Sequence, residues 1–523
     1  MWIKDLEIIS DDLSRKISKN LPQNEHFLAF LEKIPQKPKG LFIKPYKEFY
    51  IVANFAAGGW IVVLNQKAKK LFDLIDNKHS IKELYELFLK AGSDKFSKQD
   101  IRFFWEKKIS AGDVFNKVVF DHPLINIEDF SKFSGLLKKT KLIYFLDEKK
   151  REEKNYLTVK KIDVWMHLTN QCNFRCKYCY VDKASQVMED KTAFLIIDKV
   201  FEAVKKYGIK RIDLRFGGGE PLLEFPKIKK ILGYVNERYG ELIKRSGINV
   251  ISRILSNGSL INEEIIQFIK ENRVKIAVSL DGPSEIHNKQ RLTVKGEGTF
   301  DLVKRSLDLL RNAKISFNVL TVVASYNLES LPDLVKWFVE NKIYFGFIFV
   351  RKNPFTEYDL MPTNEKMIKT FSKIYDYLFL NTPNYNITPA VTNLMPHRYD
   401  IFSDNGCGVG RNFVPFDQNG DIYPCHTSFS QKELKIGSVC DFDTDIISLI
   451  NRAEVRKFNP GLKGRPECQK CEWKYICSNP CPLSNFFEDR DVREPSRYCP
   501  IYKALIPRAL ELEAERLLKY RRM

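Results

Sequence analysis

Cysteine is absent from residues 1–150 of this 523-residue chain, and all eleven of its cysteines lie beyond that point. A framework of disulfides running through the whole chain is thereby excluded, and the thiols are concentrated where they can meet one another. Long apolar runs are also missing: Phe345–Val350 is typical of the longest, against the roughly 20 residues that a bilayer-spanning helix needs. Met1-Trp2-Ile3-Lys4-Asp5 leads into charged residues rather than the apolar stretch of a secretory signal. A cytoplasmic, reducing setting is expected, in which clustered thiols serve metal binding or catalysis. The formal net charge of +19 arises from basic residues scattered among acidic ones, with no nucleic-acid-binding motif beside them. Neither nucleic acid nor membrane is expected as a partner.

What is present divides the chain by texture. In residues 1–115, Phe49–Phe55 and Trp60–Leu64 read as strands joined through Ala57, Gly58 and Gly59. Lys67–Ile75 reads as a helix, Ser80-Ile81-Lys82-Glu83 opens a second as a capping box, and Lys98–Ile109 reads as a third. Together these predict a winged-helix-like module, followed by a lysine-rich linker over 116–160. From 161 to 385 the apolar runs Ile162–Leu168, Ile209–Phe216, Ile248–Leu255, Val274–Leu280, Ile315–Val323 and Tyr344–Val350 alternate with amphipathic stretches. That alternation predicts an α/β fold with a parallel sheet, taken as a partial (β/α)6 TIM-like barrel with its active site at the carboxyl ends of the strands. Residues 386–500 hold eight cysteines among Gly, Pro, Asn and Asp, the composition of a loop-rich, metal-stapled Fe–S domain, and a charged helix over 501–523 closes the chain.

Cys172, Cys176 and Cys179 are spaced C-x3-C-x2-C directly after the first barrel strand. Three thiolates can hold a [4Fe–4S] cube and leave its fourth iron open, whereas a purely electron-transferring cluster has four; a zinc site lacking one ligand is the alternative. Gly217-Gly218-Gly219-Glu220 follows the second strand, Ser256-Asn257 ends the third, and Ser279-Leu280-Asp281-Gly282 ends the fourth. The glycines would admit a ligand close to the backbone. Leu168–Tyr180 resembles the cluster loop of the radical S-adenosylmethionine superfamily, and Gly218-Gly219-Glu220 is similar to that family's Gly-Gly-Glu element. The resemblance implies that the open iron chelates S-adenosylmethionine, whose reductive cleavage gives a 5′-deoxyadenosyl radical. It also implies that Tyr178 packs on the adenine, that Glu220 accepts the cofactor's ammonium group, and that Ser256, Asn257, Ser279 and Asp281 bind its polar groups. Tyr178 could equally fill local core. His287, Arg291 and Gly296–Phe300 continue a pattern of the peptide-modifying branch, with Arg291 as a cofactor contact or, alternatively, a loop ion pair.

The second array is Cys407, Cys425, Cys468, Cys471, Cys477, Cys481 and Cys499, with Gly420 five residues before Cys425. It resembles the SPASM auxiliary-cluster extension; four-cysteine zinc sites share such spacings. The resemblance implies one [4Fe–4S] cluster on Cys468, Cys471, Cys477 and Cys499. It implies another on Cys407, Cys425 and Cys481, whose fourth ligand is open; Cys440 is either that ligand or a buried thiol. Three clusters and S-adenosylmethionine are therefore the expected cofactors. In the sulfatase-maturing relatives an aspartate base follows the cysteine equivalent to Cys425; here the position is His426, an alternative base or a loop histidine.

The module at 1–115 resembles, more loosely, the leader-peptide recognition elements of ribosomal-peptide maturases, which take a peptide as an added strand on the hairpin edge. The expectation is a peptide-modifying radical enzyme that installs a thioether or carbon–carbon crosslink, or a related oxidation, in a ribosomally made precursor. An external donor such as flavodoxin or ferredoxin would supply electrons. The rivals are a sulfatase-maturing or small-molecule radical enzyme, and a zinc-binding peptide carrier without catalysis.

Overall fold

The computed structural model describes residues 33–37, 41–54, 60–90, 102–107, 116–121, 134, 137–138, 142–145, 160–356, 360–384, 407–441, 443–477 and 481–520. Its N-terminal part begins with β1 (Pro35–Gln36), β2 (Phe42–Tyr46), β3 (Phe49–Asn54) and β4 (Trp60–Asn65). Helices α1 (Gln66–Leu74) and α2 (Ile81–Lys90) follow, then β5 (Arg102–Lys107), β6 (Asn116–Asp121) and β7 (Tyr144–Phe145). The β3–β4 hairpin forms with Phe49 opposite Asn65 and Asn54 opposite Trp60; its turn lies outside the described residues. The capping box forms reciprocally: Ser80 N donates to Glu83 Oε2 at 2.6 Å and Glu83 N donates to Ser80 Oγ at 3.3 Å.

Two expectations change here. The stretch expected as a third helix contains β5, which pairs antiparallel with β4 and β6, Trp105 facing Val62 on one side and Val118 on the other. Phe103, Phe104 and Trp105 are residue types of high strand propensity, and backbone pairing with two neighbouring strands outweighs the helical spacing. β6 itself falls in the stretch read as linker. The result is a five-stranded sheet of order β2-β3-β4-β5-β6, so both hairpin strands are internal and the edge expected to accept a peptide is covered. The outer strands are β2 and β6.

The central part has all six expected strands, β8 (Lys161–His167), β9 (Arg211–Gly217), β10 (Asn249–Ser256), β11 (Lys275–Ser279), β12 (Phe317–Val323) and β13 (Tyr344–Phe349), each parallel to the next. The connecting helices are α3 (Asp190–Tyr207), α4 (Phe225–Ser246), α5 (Glu263–Glu271), α6 (Ser284–Gln290), α7 (Phe300–Asn312) and α8 (Leu331–Glu340), with α9 (Asn364–Leu380) after β13. Ile162, Val164 and Met166 of β8 and Ile212, Leu214 and Phe216 of β9 are buried in the core shared with these helices. The alternate residues Asp163, Trp165, His167, Asp213 and Arg215 occupy the opposite face. The cysteine-rich part adds β14 (Phe413–Phe416), β15 (Asp421–Ile422) and β16 (Gly437–Ser438), and β14 pairs in parallel with β8. The sheet therefore runs to nine strands without closing.

Helix α10 (Cys499–Lys519) packs against α9 and also against β3, β4 and β5. Lys44 pairs with Glu511, Lys47 with Glu515 at 2.7 Å, and Tyr46 donates to Glu515 at 2.8 Å. Among the described residues no helix is long and apolar enough to cross a membrane.

Candidate functional site

The loop carrying Cys172, Cys176 and Cys179 leaves the carboxyl end of β8 and is fixed from both sides. On one side Gly219 N donates to Thr169 O at 2.7 Å and Glu220 N to Gln171 O at 2.9 Å, extending the β8–β9 pairing into the loop. A Cβ on Gly218 would stand 2.5 Å from Thr169 O, and one on Gly219 2.0 Å from Gln171 O, both backbone atoms. A Cβ on Gly217 would meet the Trp165 ring at 2.3 Å. The glycine run is thus required by the close approach of the thiol loop's own backbone. On the other side Arg175 N donates to Leu292 O at 2.7 Å and Lys177 N to Gln290 O at 3.1 Å. Asn257 Nδ2 donates to Asn173 Oδ1 at 2.8 Å and lies 4.0 Å from Cys172 Sγ.

Burial pushes the Cys176 thiol up to about 12, with the Arg291 guanidinium opposing, and burial raises Cys172 too. Thiolates here need a strongly cationic partner, which an iron cluster provides and water does not. The donor set is all sulfur and supplies three ligands, so the residues fit a [4Fe–4S] cluster with one open iron.

Glu220 is fully buried, and its carboxylate accepts from Leu222 N at 3.0 Å, Ser256 Oγ at 2.8 Å and Asn257 N at 2.7 Å. Burial, outweighing these bonds, raises its pKa. Glu220 thereby ties the second strand's loop to the third, with one lone-pair position left for a further donor. Asn257 Oδ1 is engaged by Ser259, and Ser256 Oγ also accepts from Gly258 N. The half-buried Ser279 hydroxyl makes no hydrogen bond among the described residues.

Asp281 has no exposed surface, and three donors converge on its carboxylate: Tyr178 OH and Arg291 Nε (2.7 Å) on Oδ2, Val322 N (2.9 Å) on Oδ1. The Arg291 guanidinium lies 5.5 Å from the Tyr178 ring centre. Tyr178 also packs on Ala324, Val350, Leu360 and Met361. His287 is wholly internal, accepting from Asp281 N at Nδ1 and meeting Thr299 Oγ1 at 3.1 Å.

All eleven cysteines lie among the described residues, and no disulfide joins them. Cys407, Cys425 and Cys481 share one apolar cluster with Val409, Phe458 and Leu483. Burial, with Cys481 and Cys407 adding to it, pushes the Cys425 thiol up to about 12. The same three thiols lie close enough to Arg351 to raise its pKa, Cys481 most. Cys440 is exposed on the turn after β16, which overturns its reading as a buried thiol. Cys468, Cys471, Cys477 and Cys499 line one cavity of about 90 Å³ with Trp473 and Tyr502. The Trp473 ring meets Phe42 of β2 at 5.6 Å.

His426 joins the two halves of the site. Its ring stacks on Trp165 at 4.2 Å, and the rings of Tyr180 and Phe413 meet it at 5.4 and 5.7 Å, nearly edge-on. Burial, with the Arg351 and Arg215 guanidinium groups next, holds its pKa down to about 3. A histidine so held is neutral and a weak base, so the environment favours the structural reading over the catalytic one. Sequence reasoning missed Trp165, Arg351 and the Thr169–Gln171 backbone. Trp165 had a signal, since Asp163, Trp165 and His167 alternate with apolar residues.

The family model described as the radical SAM superfamily matches residues 166–338, and that of the SPASM iron–sulfur cluster-binding domain matches 407–472. An uncharacterised protein of Methanocaldococcus jannaschii is 32% identical over 268 residues, which span 50% of this chain and 84% of that protein. The chain belongs to the radical SAM superfamily. It is also 25% identical over 347 residues to a cysteine-type anaerobic sulfatase-maturating enzyme of Clostridium perfringens, spanning 64% of this chain and 91% of that one. A solved structure described as native anSMEcpe with bound AdoMet and Cp18Cys peptide superposes with a TM-score of 0.55 at 23% identity, covering 69% of this chain and 98% of that one. That likeness shares the fold of the radical SAM core. As a radical SAM protein with a SPASM domain, the chain uses [4Fe–4S] clusters and S-adenosylmethionine.

Proposed function

We propose that this radical SAM protein is a peptide maturase with three [4Fe–4S] clusters, held by Cys172, Cys176 and Cys179, by Cys407, Cys425 and Cys481, and by Cys468, Cys471, Cys477 and Cys499. The observation that carries the reading is the three-thiol loop at the carboxyl end of β8, clamped on the second and fourth strands, with the other two thiol sets alongside. Such a cluster, when bound with S-adenosylmethionine, supplies a 5′-deoxyadenosyl radical that takes a hydrogen atom from the substrate. The chain's own residues orient and exclude water. Glu220 offers its remaining lone pair to the cofactor's ammonium group, Ser256 and Asn257 shape the loop above it, the Ser279 hydroxyl is available to a polar cofactor atom, and Arg291 to its carboxylate. Tyr178 presents its ring toward the adenine.

A precursor peptide would add to β2, whose outer side pairs with no strand among the described residues and which exposes 42% of Ile43. About a third of the chain lies outside the match to the sulfatase-maturating relative, as an added recognition module requires. The proposed modules are the amino-terminal sheet for the leader, extended by β6 from the expected 1–115 to 121, then 161–385 for radical chemistry and 386–500 for the auxiliary clusters, with α10 (Cys499–Lys519) closing the chain's described part. Flavodoxin or ferredoxin serves as donor. His426, ring-stacked on Trp165 where the sulfatase-maturing enzymes have an aspartate, favours crosslinking or related oxidation of a precursor over sulfatase maturation.

The test is anaerobic: reductant, S-adenosylmethionine and the precursor encoded beside this gene should yield 5′-deoxyadenosine and a precursor lighter by two hydrogens. A sulfatase-derived peptide modified in its place would select the sulfatase reading.

A further inference from the structure

The Tyr178–Asp281–Arg291 contact does something that neither the cluster ligands nor the expected cofactor contacts account for. Asp281 was read as a contact for the cofactor's polar groups; within the protein its carboxylate already takes three donors, and none of its surface is exposed. Its backbone is also held, the N–H by His287 Nδ1 at 3.2 Å and the carbonyl by Asn327 Nδ2 at 2.8 Å. Asp281 is therefore a fixed point at the end of β11. From its single Oδ2 it grips two groups of different origin. Tyr178 belongs to the cluster loop, between Cys176 and Cys179. Arg291 follows α6, where the backbone of Gln290 and Leu292 receives that same loop. Arg291 is bound through Nε alone, and its two terminal nitrogens make no hydrogen bond among the described residues.

We infer that Asp281 is a positioning residue: it sets the height of the cluster loop through the Tyr178 hydroxyl and aims the free fork of Arg291 at the carboxylate of the cofactor bound to that loop. The inference rests on the reading of Cys172, Cys176 and Cys179 as the site of S-adenosylmethionine cleavage. A fork held at Nε keeps both terminal N–H pairs in one plane, the geometry that a carboxylate accepts in bidentate fashion. Loss of the Tyr178 hydroxyl leaves the buried ion pair, the backbone hydrogen bonds and the thiols in place while removing the loop's side-chain tether to the end of β11.

The decisive variant is Tyr178→Phe, in the full-length anaerobic protein. Iron content is expected to equal the parent's. Affinity for S-adenosylmethionine is expected to fall about tenfold, the scale of one hydrogen bond to a charged group. The electron paramagnetic resonance signal of the reduced loop cluster, isolated in a background of Cys425→Ala and Cys468→Ala, is expected to respond to S-adenosylmethionine with altered g-values. Asp281→Asn should bind the cofactor more weakly still, since it also loosens Arg291. A Tyr178→Phe protein whose affinity stays within about twofold and whose cofactor-induced spectrum is unchanged overturns the inference. A parent whose spectrum ignores S-adenosylmethionine overturns this inference and the underlying reading together, which separates the two failures.

Discussion

At Gly219 a methyl group would stand 2.0 Å from a carbonyl oxygen of the cluster loop, and backbone cannot swing aside as a long side chain can. Gly219→Ala is therefore expected to displace the loop and lower the iron bound there, measured as iron per chain and as loss of reductive S-adenosylmethionine cleavage, with an overpacking cost of about 2 kcal/mol in urea unfolding. Replacing Cys172, Cys176 and Cys179 together by Ala should abolish 5′-deoxyadenosine formation while the iron of the other two thiol sets remains. Residue types and spacing made the grouping of the thiols legible in the sequence: Cys407, Cys425 and Cys481 do share one cluster, and Cys468, Cys471, Cys477 and Cys499 one cavity. Partners were not legible. The glycine run was read as room for a ligand, and the backbone of residues 169–171 that also packs on it was not foreseen; nor were the donors to Asp281 from positions 178, 291 and 322. Long-range hydrogen bonding leaves no local mark in a chain.

Elements with a strong period were read correctly, and β5 shows where period fails. Phe103, Phe104 and Trp105 carry bulk on both faces, a pattern that suits a helix or a strand covered on both sides, and the choice was made by β4 and β6. The barrel strands instead carry their environment in their alternation. On β8 and β9 the polar positions form a charge network: Lys161 bridges Asp163 and Asp213 at 3.0 and 2.9 Å, Arg211 also pairs with Asp213, and Arg215 pairs with Asp163. Asp213 is held down to about 2, burial raising its pKa but Lys161 and then Arg211 and Arg253 outweighing it. Its ionised form thus stabilises the fold above its unfolded pKa near 4, and that contribution is lost as pH falls toward 2. Asp213→Asn removes the anion and leaves the cations facing each other. The expected cost is about 3 kcal/mol in urea unfolding at pH 7, and a variant as stable as the parent would show the network to be dispensable.

For the whole molecule, filled sites on all three thiol sets give a brown anaerobic protein with about twelve irons per chain, against a colourless zinc protein if the carrier reading holds. Precursor binding is expected to weaken as salt rises, given a net charge of +19, and Ile43→Asp on the open side of β2 should weaken it further while leaving precursor-independent 5′-deoxyadenosine formation intact. Fluorescence titration at two ionic strengths checks both.

Helix α10 bears on how the protein is made. It starts at Cys499, and one turn apart near its far end it presents Glu511 and Glu515 to Lys44, Tyr46 and Lys47. Lys44 and Tyr46 thus meet partners 467 and 469 positions further along the chain. The contact face of the amino-terminal sheet therefore stays uncovered until α10 has been made, so that this docking closes late in folding.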